Sequence, residues 1–439
     1  MIHALGRCPR WAGSALALAL LFTPQLEAEE PTPEKAPAFE VVSSSPYEIG
    51  QTVVLRSKIL DAEVTMNVYV PASFEVSSEA HTYPVVFAAG EHGRQFFTAL
   101  VGLAKHLGDR ERMPESLVVS LNDMGVIPEI HTHGMWGREK IGGGDSDPAL
   151  DQRHLVEEVF PYLEENFRAN DYRILVGVSG SSLFPIYTFT ESPELFRGQV
   201  WIAAADTIGM GYDAESTFID TFEALFAANP KLRANLYVGV ADHDLEDRPE
   251  YQANLDQMEA RLGRFPGLDL RIETFPQEDH YAVLLPAMLS AFEQNFPHER
   301  WKARYRDLVA QPGDALANID RYYAELSKDF GFTILPRADR WNNVNCLRFM
   351  IRHLIRLERT AEAVTVAQRR IEYRPHQVAS YEGLADAYEA DGQLAEAKAA
   401  LVRGIELARS RGEELGSLEE RLTALEEALT QATGGDDPS

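Results

Sequence analysis

Between residues 52 and 300, the chain alternates short apolar runs with stretches in which apolar residues recur at helical spacing. The first two runs, VVLRSKI and VTMNVYV, alternate apolar and polar positions, which predicts an antiparallel pair of strands. Later runs are compact and rich in Val, Ile or Leu, as is typical of parallel strands buried on both faces. These runs are PVVFAAG, SLVVSL, RILVGV, QVWIAA, NLYVGV and LRIETF. Strands that alternate with helices predict an α/β sheet, whose chemistry lies on loops beyond the carboxyl ends of its strands.

The strand signals stop at about residue 302, and consecutive helical patterns follow. The stretch YEGLADAYEADGQLAEAKAALVRG resembles a tetratricopeptide repeat, a helical hairpin that stacks on its neighbours. The residues that match the repeat are Tyr381, Leu384, Ala385, Tyr388, Gly392 and Ala397. A degenerate repeat, which matches at Ala363 and Pro375, precedes it. The predicted fold class is therefore an α/β sheet flanked by helices and followed by an all-α tetratricopeptide-like region.

The first 28 residues follow the pattern of a secretory signal peptide. Arg7 and Arg10 precede an apolar core, Trp11–Phe22, which is too short to cross a membrane comfortably as a helix. We expect cleavage near Ala28, and an uncleaved membrane anchor is the alternative. This interpretation predicts a periplasmic or secreted protein.

Composition and pattern divide the chain into five segments. A Pro- and Glu-rich stretch, which predicts a disordered spacer, separates the signal peptide from the sheet region. The predicted boundaries are 1–28 for the signal peptide, 29–45 for the spacer, 46–300 for the α/β domain, 301–430 for the helical region and 431–439 for a disordered tail.

The 439-residue chain has a net charge of −27, and its Asp and Glu residues are spread along the chain. Such a surface repels the phosphate backbones of nucleic acids. Nucleic acid is therefore excluded as a partner class, and no membrane contact is predicted beyond the signal peptide.

The stretch RILVGVSGSSLFP, residues 173–185, places a Gly-x-Ser between a buried-strand pattern and a helical pattern. A nucleophile elbow, Gly-x-Ser-x-Gly, has this context because its strained turn and its close-packed helix require small residues around the serine. Four of the five positions match here, and Ser181 stands at the last glycine. We therefore predict that Ser179 is a nucleophile; a serine in an ordinary tight loop is the alternative.

A serine hydroxyl needs a base that takes its proton, and the base needs a carboxylate that orients it. In α/β-hydrolases the chain order is serine, acid, histidine. Asp242 follows the run NLYVGV and is the predicted acid, with Asp244 in reserve. His280 lies between the run LRIETF and a helical pattern and is the predicted base. His243 and His298 are its competitors.

The negative charge that develops on the substrate oxygen needs hydrogen-bond donors, which form an oxyanion hole. The amide of Gly180, directly after the nucleophile, is the first predicted donor. The amide of Glu91, in the loop after PVVFAAG, is the second. Because a carboxylate is unfavourable beside an oxyanion, we expect the Glu91 side chain to point away or to bind substrate.

With these residues in place, the chain resembles the bacterial putative-esterase family, the α/β-hydrolases related to esterase D and enterobactin esterase. The stretches that carry the resemblance are VTMNVYVPASF, YPVVFAAGE, RILVGVSGSSLFPIYTFTESPELFRG, LYVGVADHD and QEDHYAVL. Two further stretches, YYAELSKDFGFTILP and YEGLADAYEADGQLAEA, resemble members with appended tetratricopeptide segments. The resemblance implies an α/β-hydrolase sheet over 46–300 and a serine esterase.

The chain departs from the family pattern at three places. Ser181 and Ser182 replace a pair of glycines, and Ala89 stands where the family has Asp before Gly90. Pro185 falls within the helix expected after the elbow, so that helix is expected to be kinked or to start late. These departures are either tolerated variations or marks of a degenerate site.

The resemblance implies that the stretch EIHTHGMWG borders the acyl or alcohol pocket. We therefore predict that His131, His133 and Trp136 contact substrate. The same histidines, with His92, also resemble a fragment of a metal site, but no third ligand has a convincing spacing. We therefore predict no metal and no organic cofactor.

The first functional prediction is a periplasmic or secreted serine hydrolase that cleaves a small-molecule carboxylic ester through Ser179, His280 and Asp242 and an acyl-enzyme. A catalytically degenerate scaffold is one alternative; it would bind a protein or peptide through the C-terminal helices, with no histidine in reach of Ser179. An acyltransferase with the same three residues is the other.

Overall fold

The computed structural model of the protein describes residues 41–122, 129–143, 147–301, 303–339 and 344–434. The predicted signal peptide, 1–28, lies outside the described residues, as do 29–40 of the predicted spacer and 435–439 of the predicted tail. Residues 41–47 are exposed and contain neither helix nor strand. Residues Glu48–Ser439 form one compact unit.

The compact unit is built around one large mixed sheet. Its strands are β1 Gln51–Arg56, β2 Glu63–Tyr69, β3 Tyr83–Ala89, β4 Leu117–Leu121, β7 Ala169–Val178, β8 Gly198–Ile202, β9 Ala234–Ala241 and β10 Leu268–Phe275. Their order in the sheet is β1-β2-β4-β3-β7-β8-β9-β10. Two short strands, β5 Ile130–His131 and β6 Lys140–Ile141, form a separate ribbon.

Strand direction and burial follow the sequence patterns. β1 and β2 pair antiparallel, as their alternating pattern predicts, and β2 is also antiparallel to β4. The remaining neighbours, from β4 through β3 to β10, are parallel. Every residue of β3, β4 and β8 is buried, because helices cover both faces of a parallel sheet. The strands predicted from the six compact runs are thus confirmed, but β10, at the edge of the sheet, is not buried on both faces.

Within the described residues, eight helices lie between or beside the strands: α1 Gly90–Asp109, α2 Pro148–His154, α3 Phe160–Phe167, α4 Leu183–Glu191, α5 Phe218–Ala228, α6 Asp242–Asp247, α7 Pro249–Leu262 and α8 Leu284–Asn295. A π-helical turn, Leu155–Val159, joins α2 to α3. The remaining helices follow the sheet: α9 His298–Trp301, α10 Tyr305–Ala310, α11 Ala315–Phe330, α12 Leu347–Arg356, α13 Thr360–Tyr373, α14 Val378–Ala390, α15 Leu394–Arg411 and α16 Gly416–Gly434. The predicted fold class, an α/β sheet followed by an all-helical region, is confirmed.

Two details of the helical part bear on the sequence predictions. α14 and α15 form the hairpin predicted as a tetratricopeptide repeat, and Gly392 turns the chain between them at a φ of +77°. The small side chains of Ala385 and Ala397 are buried, which permits the two helices to lie close together. Helix α16 includes residues 431–434 of the predicted tail. In the part of the chain that the structure describes, no helix has the length and hydropathy needed to cross a membrane.

The helical region packs against the amino ends of the parallel strands. Tyr172 lies near the start of β7, and its ring centroid is 5.2 Å from the rings of both Phe296 and Phe332. Phe296 follows α8 and packs 5.9 Å from Phe330, at the end of α11. The segments predicted as 46–300 and 301–430 therefore share one hydrophobic core.

Buried charges join the same two regions. The carboxylate of Glu115, just before β4, lies 3.3 Å from Arg337 and 3.6 Å from Arg374. Arg337 also donates to the carbonyl of Gly108 at 2.8 Å, and Arg374 to that of Ser73 at 3.0 Å. Because each charge compensates another away from water, removal of one partner leaves a buried charge unpaired, which typically costs about 3–5 kcal/mol.

Acid is expected to weaken this junction through His81. Burial is the main cause that lowers the pKa of His81 from 6.5 to about 4, and the charges of Arg374 and Arg337 act in the same direction. Between about pH 4 and pH 6.5, His81 is therefore protonated in the unfolded chain and neutral in the folded chain. The free energy of unfolding is expected to fall as the pH drops through this window, by at most about 1.4 kcal/mol per pH unit for this one group.

Urea unfolding at pH 6.5 and pH 4.5 measures this effect. His81→Gln is expected to reduce the difference between the two pH values, because the variant has no imidazole to protonate. His106→Gln removes an exposed histidine of α1 and serves as the matched control. An unchanged pH dependence in His81→Gln would contradict the assignment.

Candidate active site

Strand β7 ends in a strained turn that carries Ser179. The φ angle of Ser179 is +51°, a left-handed conformation that costs a non-glycine residue on the order of 1–2 kcal/mol. A Cβ on Gly177 would lie 2.6 Å from Ser182 Cα, so only glycine allows the short 3₁₀ turn Ser179–Ser182 to fold back against the strand. The turn leaves Ser179 half-buried at the carboxyl edge of the sheet.

The helix after the elbow starts late, as the sequence predicts. α4 begins at Leu183, so Pro185 lies within its first turn. Backbone amides in the first turn of a helix have no intrahelical acceptor, and proline there removes no hydrogen bond. This departure from the family pattern is therefore accommodated by the position of the helix start.

A continuous chain of hydrogen bonds joins Ser179, His280 and Asp244. Ser179 Oγ lies 2.9 Å from His280 Nε2, and Nδ1 of the same ring lies 2.8 Å from Asp244 Oδ2. If Nδ1–H donates to the carboxylate, Nε2 is left as the acceptor of the serine hydroxyl. That tautomer is the one that a general base needs.

The hydrogen bond to His280 comes from Asp244, the reserve candidate, and not from Asp242, the predicted acid. Helix α6 begins at Asp242, and two residues along a helix turn the side-chain direction by about 200°. Asp242 Oδ2 and Oδ1 therefore accept the backbone N–H groups of Gln277, at 2.8 Å, and Glu278, at 3.3 Å. These two bonds anchor the loop that carries His280, whereas the bond to the ring itself comes from Asp244.

Three consecutive side chains at the start of α6 hold this loop. Asp242 binds its backbone, His243 Nδ1 lies 2.8 Å from Asp279 Oδ1, and Asp244 binds the His280 ring. The loop between β10 and α8 is thus tied to the first turn of α6 at successive positions. This arrangement restricts the His280 ring to a narrow range of directions.

Neither competing histidine takes the place of His280. The hydrogen bond with Asp279 raises the pKa of His243 above 6.5 and keeps that side chain at the surface. His298 lies in α9, where its backbone N–H donates to Glu293 at 2.9 Å. Ser179 therefore has His280 as its histidine partner.

The surroundings of His280 favour its protonated form. The hydrogen bond with Asp244 raises the pKa of His280 above 6.5, and the negative charge of Asp206 adds to this effect, while burial opposes it. A raised pKa means that an imidazolium formed during a reaction is stabilised at this position. The neutral ring, which is the form able to take a proton, prevails only above that pKa.

The predicted oxyanion donors lie at the starts of two helical segments. Gly180 follows Ser179 in the 3₁₀ turn, and Glu91 lies in the first turn of α1, after Gly90 with a φ of +65°. Backbone N–H groups in a first helical turn lack intrahelical acceptors and form the positive end of the helix dipole. The Glu91 side chain is exposed.

Trp136 lies directly over the elbow. Its ring approaches within 3.7 Å of the position that a Cβ on Gly180 would occupy. The indole N–H donates to the carboxylate of Asp206, and the φ of Trp136 is +57°. A buried acceptor and a strained backbone thus fix an aromatic face beside Ser179.

The other two predicted substrate contacts bind a neighbouring loop. The backbone of His131 pairs with Gly211 through two hydrogen bonds, of 2.8 and 3.0 Å. His133 Nε2 lies 3.2 Å from the carbonyl oxygen of Ser216, to which its N–H donates. Within the described ranges, no group of three or more His, Cys, Asp or Glu residues is arranged to hold a metal ion.

Three further residues at this edge make contacts that the sequence pattern did not predict. Asp206, after β8, is buried and accepts the Trp136 indole. His92 Nδ1, after β3, lies 3.0 Å from Ser181 Oγ, and Tyr281, after β10, lies 3.3 Å from the other ring nitrogen of His92. All three follow the carboxyl ends of strands, and that rule was the available signal.

Comparisons with known proteins show which family model and which solved structures the chain resembles. Residues 57–261 match the model of a family described as putative esterase. An IroE-like serine hydrolase from Shewanella oneidensis is 16% identical, with a TM-score of 0.55 over 73% of this chain and 98% of that chain. The siderophore hydrolase EstB from Aspergillus nidulans is 12% identical, with a TM-score of 0.45 over 58% of this chain and 99% of that chain. None of the curated proteins compared matches the chain.

The matched segment runs through the elbow and includes Ser179 and Asp244, and it ends before His280. The similarity to the Shewanella structure supports the same fold over most of the chain. The predicted resemblance is confirmed: residues 57–261 match the putative-esterase family model, and this match supports a carboxylic ester hydrolase.

Proposed function

We propose that the protein is a serine esterase in which Ser179 attacks the ester carbonyl, His280 is the general base and Asp244 orients the histidine. The observation that carries this proposal is the unbroken chain of hydrogen bonds from Ser179 Oγ through His280 to Asp244. The putative-esterase domain supports the same class of reaction.

In the first half of the reaction, His280 Nε2 takes the proton of Ser179 while Oγ bonds to the carbonyl carbon. Negative charge moves to the carbonyl oxygen, where the amides of Gly180 and Glu91 donate hydrogen bonds. The imidazolium is stabilised by Asp244 and by the charge of Asp206. It returns its proton to the departing alkoxide, and the alcohol leaves an acyl group on Ser179.

In the second half, water replaces the alcohol. His280 takes a proton from the water, whose oxygen attacks the acyl carbon, and the same amides stabilise the second tetrahedral intermediate. Collapse of that intermediate returns the proton from His280 to Ser179 Oγ and releases the acid. Each proton taken is given back, so the cycle requires no metal or organic cofactor.

Trp136 forms the wall of the substrate site in this proposal. Its fixed ring lies over Gly180, so a bound ester packs against it as the carbonyl approaches Ser179. His131 and His133 act at the border of the site, because they bind the loop of residues 211–216. The small-molecule ester is thus positioned mainly by one aromatic face and by the oxyanion donors.

The contact between Ser179 and His280 argues against the alternative of a catalytically degenerate scaffold. That alternative expects no histidine in reach of Ser179, whereas His280 Nε2 lies 2.9 Å from Oγ.

A partner role of the helical region alongside catalysis is the second candidate. A cleft of about 350 Å³ between α13, α14 and α15, lined by Ile371, Tyr381 and Leu384 among others, supports it. Acyl transfer uses the same residues and differs only in the acceptor.

The signal-peptide pattern of residues 1–28 supports export of the enzyme to the periplasm or the medium. We therefore place its substrate outside the cytoplasm.

A fluorophosphonate probe is expected to label the wild-type protein, because the probe reacts with an activated serine. Ser179→Ala and His280→Ala are each expected to abolish labelling and to lower the turnover of p-nitrophenyl acetate by a factor of about 1000 or more. Ser192→Ala, at the carboxyl end of α4, is the control that retains labelling. A folded wild-type protein that stays unlabelled would refute the proposal.

Asp244→Asn is expected to lower kcat by a factor of about 1000 to 10,000, because the amide stabilises the wrong tautomer of His280 and no longer balances the imidazolium. The acid limb of the pH–rate profile is expected to move to lower pH, since loss of the carboxylate removes the main cause that raises the pKa of His280. Kinetics from pH 5 to pH 9 test both effects.

Asp242→Asn is the matched variant two residues away. It is expected to retain the pH profile and to lose activity only through a looser His280 loop, because Asp242 binds backbone amides and not the ring. If Asp242→Asn moved the acid limb and Asp244→Asn did not, Asp242 would be the orienting acid.

Trp136→Ala is expected to raise KM for p-nitrophenyl esters by about tenfold, which corresponds to the loss of about 1.4 kcal/mol of contact with the ring. Trp136→Phe retains an aromatic face but lacks the N–H that binds Asp206, so its KM is expected to lie between the two. An equal KM in all three proteins would exclude Trp136 from the substrate site.

A further inference from the structure

His92 connects three segments of the active site. It lies in the first turn of α1, and its Nδ1 is 3.0 Å from Oγ of Ser181 in the elbow. Its Nε2 is 3.3 Å from the hydroxyl of Tyr281, in the loop after β10. The ring thereby uses both nitrogens to bridge loops that come from different strands of the sheet.

The packing of the ring fixes its direction. Phe96, one turn further along α1, stacks on His92 with a centroid distance of 6.2 Å and an interplanar angle of 16°. The ring of Tyr281 lies 5.3 Å from His92 and 5.9 Å from Phe96. The three rings form one cluster beside the elbow, so the imidazole has little freedom to rotate away from its partners.

Both neutral tautomers of His92 complete the bridge. If Nδ1 carries the proton, it donates to Ser181 Oγ and Nε2 accepts from the tyrosine hydroxyl. If Nε2 carries the proton, it donates to Tyr281 Oη and Nδ1 accepts from the serine hydroxyl. Because each hydroxyl can act as donor or as acceptor, the bridge requires no net proton transfer.

Each residue of the bridge stands next to a residue of the proposed machinery. His92 follows Glu91, whose amide is a proposed oxyanion donor, and Ser181 follows Gly180, whose amide is the other. Tyr281 follows His280, the proposed base. A hydrogen bond between His92 and Ser181 therefore constrains the distance between the two oxyanion donors.

We propose that His92 is a positioning residue, which through Ser181 and Tyr281 holds the amides of Glu91 and Gly180 at the spacing that an oxyanion requires. The inference rests on the esterase mechanism proposed above. It also accounts for Ser181: a glycine at this position, as in the family pattern, has no hydroxyl to bind His92. In this proposal Ser181, which departs from the family pattern, is the hydrogen-bond partner of His92 and does not indicate a degenerate site.

The expected effect on turnover follows from the contribution that one oxyanion donor makes to catalysis. Removal of one donor typically costs a factor of about 100 to 1000 in turnover. Displacement of a donor costs part of that factor. His92→Ala is therefore expected to lower kcat for p-nitrophenyl acetate by about 10- to 100-fold, with KM within about twofold of the wild type, because the interaction is made mainly in the transition state.

Four further variants separate positioning from mere packing. His92→Asn places an amide N–H near the position of Nδ1, so it is expected to retain the bond to Ser181 and most of the turnover. His92→Gln extends toward the position of Nε2 and is expected to resemble His92→Ala. Ser181→Gly is expected to reproduce the loss, and the double variant His92→Ala/Ser181→Gly is expected to be no slower than either single one.

The matched control is His106→Ala, which makes the same substitution at an exposed histidine near the other end of α1. The two positions are separated by about 21 Å along the helix axis. His106→Ala is expected to leave kcat, KM and the unfolding temperature unchanged. The acid limb of the pH–rate profile is expected to stay at its wild-type position in every His92 variant, because His280 and not His92 is the base.

The measurements are steady-state hydrolysis of p-nitrophenyl acetate, the rate of fluorophosphonate labelling and the thermal unfolding midpoint of each full-length variant. A wild-type kcat in His92→Ala, with normal labelling of Ser179, would overturn the inference and leave the proposed function intact. A loss of kcat that follows a lower unfolding midpoint and is not restored by His92→Asn would also overturn it. A folded wild-type protein with neither labelling nor hydrolysis would overturn both.

Discussion

The left-handed backbone of Ser179 is the conformation on which the site depends, and the sheet around it is what sustains this strain. β7 is hydrogen-bonded on both sides, to β3 and β8, so its carboxyl end cannot relax by moving sideways. The turn packs so closely on Gly177 that any side chain at position 177 would collide with Ser182. The chain must therefore reverse at Ser179, and the reversal presents its hydroxyl at the edge of the sheet.

In the proposed mechanism a strained serine is reactive only if its base is held in place, and neighbouring segments at this edge share that task. The start of α6 fixes the His280 loop through Asp242, His243 and Asp244, of which only the last touches the ring. The first turn of α1 reaches the same region through His92. Every contact comes from a segment that directly follows a parallel strand, so the rigid sheet fixes the positions of these side chains.

The helical region contributes stability from the opposite end of the strands. Its aromatic contacts surround Tyr172 near the start of β7, and its arginines meet Glu115 just before β4. The carboxyl edge of the sheet, which carries the proposed active site, thus lies away from this packing. The sheet is held at one end by a buried core and buried charges, while the other end carries exposed loops whose geometry depends on that support.

The sequence predicted the features that depend on local pattern and missed those that depend on pairing across loops. Strands, elbow and His280 are encoded in short apolar runs and in the residues that follow them. Asp244 could not be separated from Asp242, because the choice depends on a six-residue helix and on a partner 36 positions away. The contact of Ser181 with His92 spans 89 positions. In the local sequence, Ser181 is only a departure from the glycine of the family pattern. The contact of its hydroxyl with His92 becomes visible only in the folded structure.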